Sequence, residues 1–193
     1  VYVNNGITSP TYIYNNIFNS SIYGINLYSS DVLVESNSFF ENEFPIVSYI
    51  LKNVTIRNNY IYADNNDGSY ESRIGILSYS NISIINNTIF MNNFDINIFD
   101  SSNSNNLIEH NNLHGGYGVV VQNINSYGNI TIINNNINSS RGLYLMGSIG
   151  GIGTLISLDN IFNTSTPFFF NTVAGNYLAI NNTFSIFPII SGI

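Results

Sequence analysis

The chain has 193 residues, 44% of them hydrophobic and 14% aromatic, enough apolar surface for one domain with a sizeable core, which excludes a disordered chain. Only 8% of residues are charged, and the net charge of −7 includes just four basic residues, Lys52, Arg57, Arg73 and Arg141. That is too few to track a phosphate backbone, so nucleic acid is excluded as a partner. With no cysteine there is neither a disulfide framework nor a thiolate metal site.

One phrase, apolar-x-apolar-x-x-Asn-x-apolar, runs through the chain in eight versions. In order they are "TYIYNNIF" from Thr11, "VLVESNSF" from Val32, "VTIRNNYI" from Val54, "ISIINNTI" from Ile82, "NLIEHNNL" from Asn106, "ITIINNNI" from Ile130, "LISLDNIF" from Leu155 and "YLAINNTF" from Tyr177. Each reads as a strand, a corner and the start of another strand, because period-two alternation lines one face and is interrupted at the asparagine. The corner is assigned to that asparagine, a residue type that tolerates the left-handed region. Between phrases lie further apolar runs, among them "IYGINL" from Ile22, "IGIL" from Ile74, "INIF" from Ile96 and "LYL" from Leu143, so each repeat holds at least two sheet-forming segments.

The phrase asparagines are Asn16, Asn37, Asn59, Asn87, Asn111, Asn135, Asn160 and Asn182, spaced 21 to 28 residues apart. A β-rich repeat of that length predicts stacked rungs of a solenoid. Six residues earlier runs a second column that includes Asn53, Asn81, Asn105 and Asn129. Equivalent residues in successive rungs stand roughly 4.8 Å apart, close enough for amides to donate and accept along a column. Both columns are expected to be buried ladders, and Asn87→Ala is expected to cost roughly 1 to 3 kcal/mol.

A hexapeptide-based left-handed coil needs a nearly fixed rung, whereas this repeat varies, which favours a right-handed one. On phrases such as "INNTIF" from Ile85 and "YGINL" from Tyr23, the chain resembles the right-handed parallel β-helix repeats of pectin-lyase-like proteins, including Asn-rich archaeal and bacterial surface or periplasmic members. The resemblance covers about residues 11–184. The expected fold is all-β: a right-handed parallel β-helix of about eight rungs with internal asparagine ladders, residues 1–193 forming a single domain. No capping helix is visible, so a segment of a longer chain is expected, its ends meeting neighbouring chains or the rest of its own. The most membrane-like stretch, residues 142–158, is too short and glycine-rich for a span, so no membrane span is expected.

The resemblance implies a fold shared by hydrolases, lyases, adhesins, surface-layer components and viral spikes, so function has to come from sites. Neither the three aspartates of such hydrolases nor the calcium-and-arginine set of such lyases can be assembled. Glu35 and Arg57 fall one rung apart in one column and read as a surface ion pair. "EHNNLH" from Glu109 gathers a carboxylate and both histidines, but an extended strand with a corner carries His110 and His114 apart, so no metal site is expected. Glu109 and His110 are the fallback base and orienter for an enzyme. "DNNDGSYE", residues 64–71, fails the EF-hand spacing and reads as a polar turn insertion, with Asp64 and Asp67 as its calcium candidates. No cofactor motif is present.

Of eight N-x-[ST] sequons, those at Asn19, Asn138 and Asn163 are the glycosylation candidates, while Asn53, Asn81 and Asn129 are expected to be too buried. The amide- and hydroxyl-rich, weakly charged composition is similar to that of secreted and cell-surface proteins, those of acidophilic thermophiles in particular. The expected function is a non-enzymatic structural or adhesive β-helix of a cell surface, appendage or virion. The alternatives are a polysaccharide-active hydrolase or lyase, and a carbohydrate-binding module stacking sugars on Tyr60, Tyr62, Tyr79 and Tyr144.

Overall fold

The computed structural model describes residues 1–3, 10–28, 31–49, 53–64, 73–79, 81–99, 105–122, 128–146, 154–171 and 176–185. Among these, all regular structure is β, in three parallel sheets of eight strands each, which the chain visits in a fixed rotation. One turn runs from Phe44–Ser48 in the first sheet to Val54–Arg57 in the second and Tyr60–Ala63 in the third. Every strand inside the stack pairs with its equivalents one turn before and after. About six turns are therefore packed on both sides, rather than eight equivalent rungs, and each outermost turn has one neighbouring turn among the described residues.

Register stacks like on like. In the second sheet Val34, Ile56, Ile84, Ile108 and Ile132 form one inward column, fully buried. Phe39, Ile61, Ile89, Leu113, Ile137 and Phe162 form its counterpart in the third sheet, also fully buried. The first sheet contributes Ile25, Ile46, Ile76, Ile96, Val119 and Leu143. β-Branched side chains suit this pleated, laterally repeated environment, which explains their excess in the sequence.

The left-handed residue is not the phrase asparagine but the residue before it. Asn15, Ser36, Asn58, Asn86, His110, Asn134, Asp159 and Asn181 have φ between 50° and 57°. Each turns the chain and points its side chain outward, a position where Asn, Asp and His are the usual non-glycine occupants. The phrase asparagine that follows is thereby aimed into the stack. At the start of the first-sheet strands stand Gly24, Gly75, Gly118 and Gly142; a Cβ on Gly118 would lie 2.5 Å from Ile137 Cγ2, and one on Gly142 2.5 Å from Phe162 Cδ1. The close approach of strand to core requires glycine there.

Candidate functional site

The most connected polar feature is the phrase-asparagine column. The Asn59 backbone N–H donates to Asn87 Oδ1 at 2.9 Å, and Asn59 Nδ2 reaches the same oxygen at 3.0 Å. Asn87 repeats both contacts to Asn111 Oδ1, and its Nδ2 also lies 3.0 Å from the Ile56 carbonyl and 3.1 Å from that of Ile85. The relay runs through Asn16, Asn37, Asn59, Asn87, Asn111, Asn135, Asn160 and Asn182, always donating toward the C-terminal turn. Asn37, Asn59, Asn87, Asn111, Asn135 and Asn160 are each at most 2% exposed.

The second column is different. Asn53, Asn105 and Asn129 are exposed and Asn81 is half-buried. Its contacts are an interrupted set: Asn53 Nδ2 donates to Asp31 Oδ1 at 2.9 Å, Asn129 Nδ2 to Asn105 Oδ1 at 3.2 Å, and the Thr154 N–H to Asn129 Oδ1 at 3.2 Å. Asp31 and Asn53 themselves take φ of 57° and 49°, so here the side chains face solvent at a corner. The expectation of burial fails for that reason, and with it the exclusion of the Asn53 and Asn129 sequons. Asn19, Asn138 and Asn163 are exposed as well.

The ionic candidates are dispersed over the outer surface. Arg57 clamps Glu35 through Nε at 2.8 Å and Nη2 at 3.1 Å. The guanidinium holds the Glu35 carboxyl below its ordinary range, and Glu35 raises Arg57 in return. Glu109 ends its strand facing outward between Ile85 and Ile133 of the adjoining turns, with no acid beside it in that column. His110 follows in a left-handed corner, its Nδ1 3.4 Å from Glu109 Oε1. His114 stands past the third sheet, stacked on Phe90 at 4.4 Å, and burial lowers its pKa. Among the described residues no three metal-ligating side chains converge.

Asp64 is engaged through its backbone: its N–H donates to Glu41 Oε1 at 3.1 Å, and its carbonyl accepts from Arg73 Nη1 at 3.4 Å. Arg73, nearly buried, also donates to Glu41 Oε2 at 2.8 Å, tying down both ends of the insertion. Asp67 lies outside the described residues.

Several buried polar residues escaped the sequence reading, Asn106 and Asp95 among them. Asn106, 2% exposed, takes a core position between Ile82 and Ile130, and its Oδ1 accepts the Ile82 N–H at 3.1 Å. Asp95, fully buried, accepts the Met91 N–H on Oδ1 at 3.1 Å, while its Oδ2 meets no partner. Gly115 leaves it room, since a Cβ there would stand 2.6 Å from Oδ1. Burial pushes the Asp95 carboxyl well above its ordinary range, so the neutral acid is the favoured form. A glycine-column position held by Asp was its only sequence signal.

Of the proposed tyrosine platforms, Tyr60 is 40% exposed, whereas Tyr144 is buried beneath Arg141, whose guanidinium lies 5.4 Å from its ring centroid. Tyr144 is therefore not a free platform. On the outer face of the second sheet an open groove of about 410 Å³ has an amide and hydroxyl rim, Asn105, Asn129, Thr131 and Thr154, over Leu107 and Ile156.

A three-sheet parallel solenoid with an internal amide ladder is the architecture of a β-helix protein. The chain matches the right-handed β-helix region family over residues 1–184 and belongs to that family. Comparison with curated proteins and with solved structures returned no match. No helix among the described residues is long and apolar enough to cross a membrane.

Proposed function

We propose that this β-helix is a structural or adhesive element of a cell surface, appendage or virion, built to hold a fixed length and shape. The observation that carries this reading is the asparagine relay, which links every turn from Asn16 to Asn182 without a break. Each turn is bonded to the next through side chains as well as strands, so bending would strain both sets at once. The outer surface is dominated by amides, hydroxyls and aromatic rings, a chemistry that loses little when carboxylates are protonated. That chemistry supports the reading of an extracellular placement, including acidic surroundings.

Incubation with neutral and acidic polysaccharides tests the reading: no turnover is expected, and turnover abolished by Glu109→Gln would replace it with the enzyme reading. Carbohydrate contact is supported separately by the groove over Leu107 and Ile156. Binding of an oligosaccharide that is weakened by Asn129→Ala, without turnover, would favour a binding module.

A further inference from the structure

We propose that the outer face of the first sheet carries a docking site for a partner protein, which presents an aspartate or glutamate carboxylate to Arg141. The site rests on the structural or adhesive reading above and gives the chemistry of one contact. Of the side-chain cations among the described residues, Arg57 is paired with Glu35 and Arg73 with Glu41, whereas Arg141 meets no described carboxylate. In a chain of net charge −7, a guanidinium kept clear of the described acids leaves a positive charge for a group outside the chain to neutralise.

Arg141 opens a first-sheet strand, with Tyr117 and Thr166 beside it in the adjoining turns. Its Cζ lies 5.1 Å from the Tyr117 ring centroid, 5.4 Å from that of Tyr144 and 5.0 Å from that of Phe169. Nη1 donates to the Tyr117 hydroxyl at 2.8 Å. Rings and hydroxyl hold the side chain in place, so little rotamer freedom remains to be lost when a ligand binds. Nε and Nη2 have no partner among the described residues, and together they form an edge of the guanidinium fork that matches a carboxylate. The side chain is half-buried rather than enclosed.

The rings favour a protein as the carrier of that carboxylate. Tyr117 and Tyr144 stack on one another at 5.3 Å, Phe169 meets Tyr144 edge-on at 4.8 Å, and Phe94 leans on Tyr117 at 5.0 Å. Their faces are taken up largely by one another and by the guanidinium, and Tyr144 is buried. What remains is a set of ring edges, not a platform on which a pyranose would stack. Arginine packed among tyrosine and phenylalanine is instead the composition of a protein-binding hot spot, where ring edges keep water from a desolvated ion pair.

The experiment follows the arginine Nε–H signals of the 193-residue chain by nitrogen–proton correlation NMR, the Arg141 signal being assigned by its loss in Arg141→Lys. The probes are a capped Leu-Glu-Leu peptide, its Leu-Gln-Leu counterpart and glucuronate. The acidic peptide should shift the Arg141 signal saturably, while Arg57 and Arg73, already held by acids, move little. The glutamine peptide should bind at least about tenfold more weakly. Arg141→Lys, its fold checked by circular dichroism, should weaken the acidic peptide by a similar factor, because an ammonium keeps the charge but not the fork. Should that variant misfold, the two peptides on the unsubstituted chain still decide. The proposal is overturned if the acidic peptide leaves the Arg141 signal unmoved, if the glutamine peptide binds equally well, or if a folded Arg141→Lys binds undiminished. Tighter binding of glucuronate than of the acidic peptide also overturns it, since the carboxylate would then belong to an acidic sugar. None of these results touches the structural reading, which fails on polysaccharide turnover instead.

Discussion

Replacing Asn87 by alanine removes one side chain but disturbs two neighbouring turns. The Asn59 backbone N–H loses its acceptor at 2.9 Å inside a buried stack, which costs about 1 to 3 kcal/mol for the orphaned donor. The Asn87 Nδ2 contacts with the Ile56 and Ile85 carbonyls and with Asn111 Oδ1 are lost too, and Asn59 Nδ2 keeps only the Val34 and Arg57 carbonyls. Two net hydrogen bonds at about 1 kcal/mol each bring the expected loss to roughly 3 to 5 kcal/mol. This exceeds the expectation from sequence because a single Oδ1 serves two donors. Asn16→Ala, at an exposed outermost turn with no donor on its Oδ1 among the described residues, should cost less than about 1 kcal/mol. Asn87→Asp should be worse than alanine, since it turns an acceptor toward three acceptors. Urea unfolding followed by far-ultraviolet circular dichroism measures all three. An Asn87→Ala variant within about 0.5 kcal/mol of the unsubstituted chain, or no more damaged than Asn16→Ala, would refute the relay as a source of stability.

Asp95 makes the fold an acid-favouring one. Its folded-state pKa lies above the unfolded value of 3.8, so its stabilising contribution is complete below that value and is lost as pH rises toward the folded pKa. The melting temperature should therefore fall between acid and neutral pH, and Asp95→Asn should flatten the profile; an unchanged slope would refute it. Gly118→Ala should cost about 1 to 3 kcal/mol by forcing a Cβ against Ile137, measured by the same urea series. Tyr49 is pushed up to about 12 by burial and by Tyr28 and Tyr23, so Tyr49→Phe should remove a late component from the absorbance titration at alkaline pH. In a glycosylating host, mass spectrometry should find Asn138 and Asn163 occupied, with Asn53 and Asn129 also open to modification; a glycan confined to Asn81 would contradict the exposure pattern.

The repeat was legible because burial on a solenoid is strictly periodic. From Val34 through Ile56, Ile84 and Ile108 to Ile132 each residue meets a β-branched neighbour in the adjoining turn of that run, so one residue class satisfies the column and the pattern survives in the letters. The corner was harder. Asn58–Asn59 and Asn86–Asn87 look alike as pairs, yet the first member turns the chain and the second enters the relay. His110 and Asp159 mark the turning position where the letter is not Asn, and those departures were the available clue. The second column misled for the same reason: at Asn53 and Asn129 an amide beside an amide suggests a ladder, but whether it is buried depends on the side of the strand it leaves, which a single hydrogen bond between neighbours does not reveal.

Asp95 illustrates the converse, a site that periodicity hides. It replaces the glycine of Gly75 and Gly118 at the start of a first-sheet strand, and sequence alone reads a lone acid among polar letters as surface. The acid is admitted because Gly115 vacates the volume and Met91 supplies one N–H, and burial raises its pKa well above the ordinary range. That arrangement and the relay constrain the environment in the same direction. A ladder of amides is indifferent to pH, since none of its members titrates, while Asp95 is stabilised when protonated and penalised when charged. A stack held by uncharged bonds, with the fully buried Asp95 carboxyl favouring its protonated form, is better suited to acid than a fold held by ion pairs such as that of Glu35 and Arg57, whose contribution fades as pH falls through the depressed Glu35 pKa.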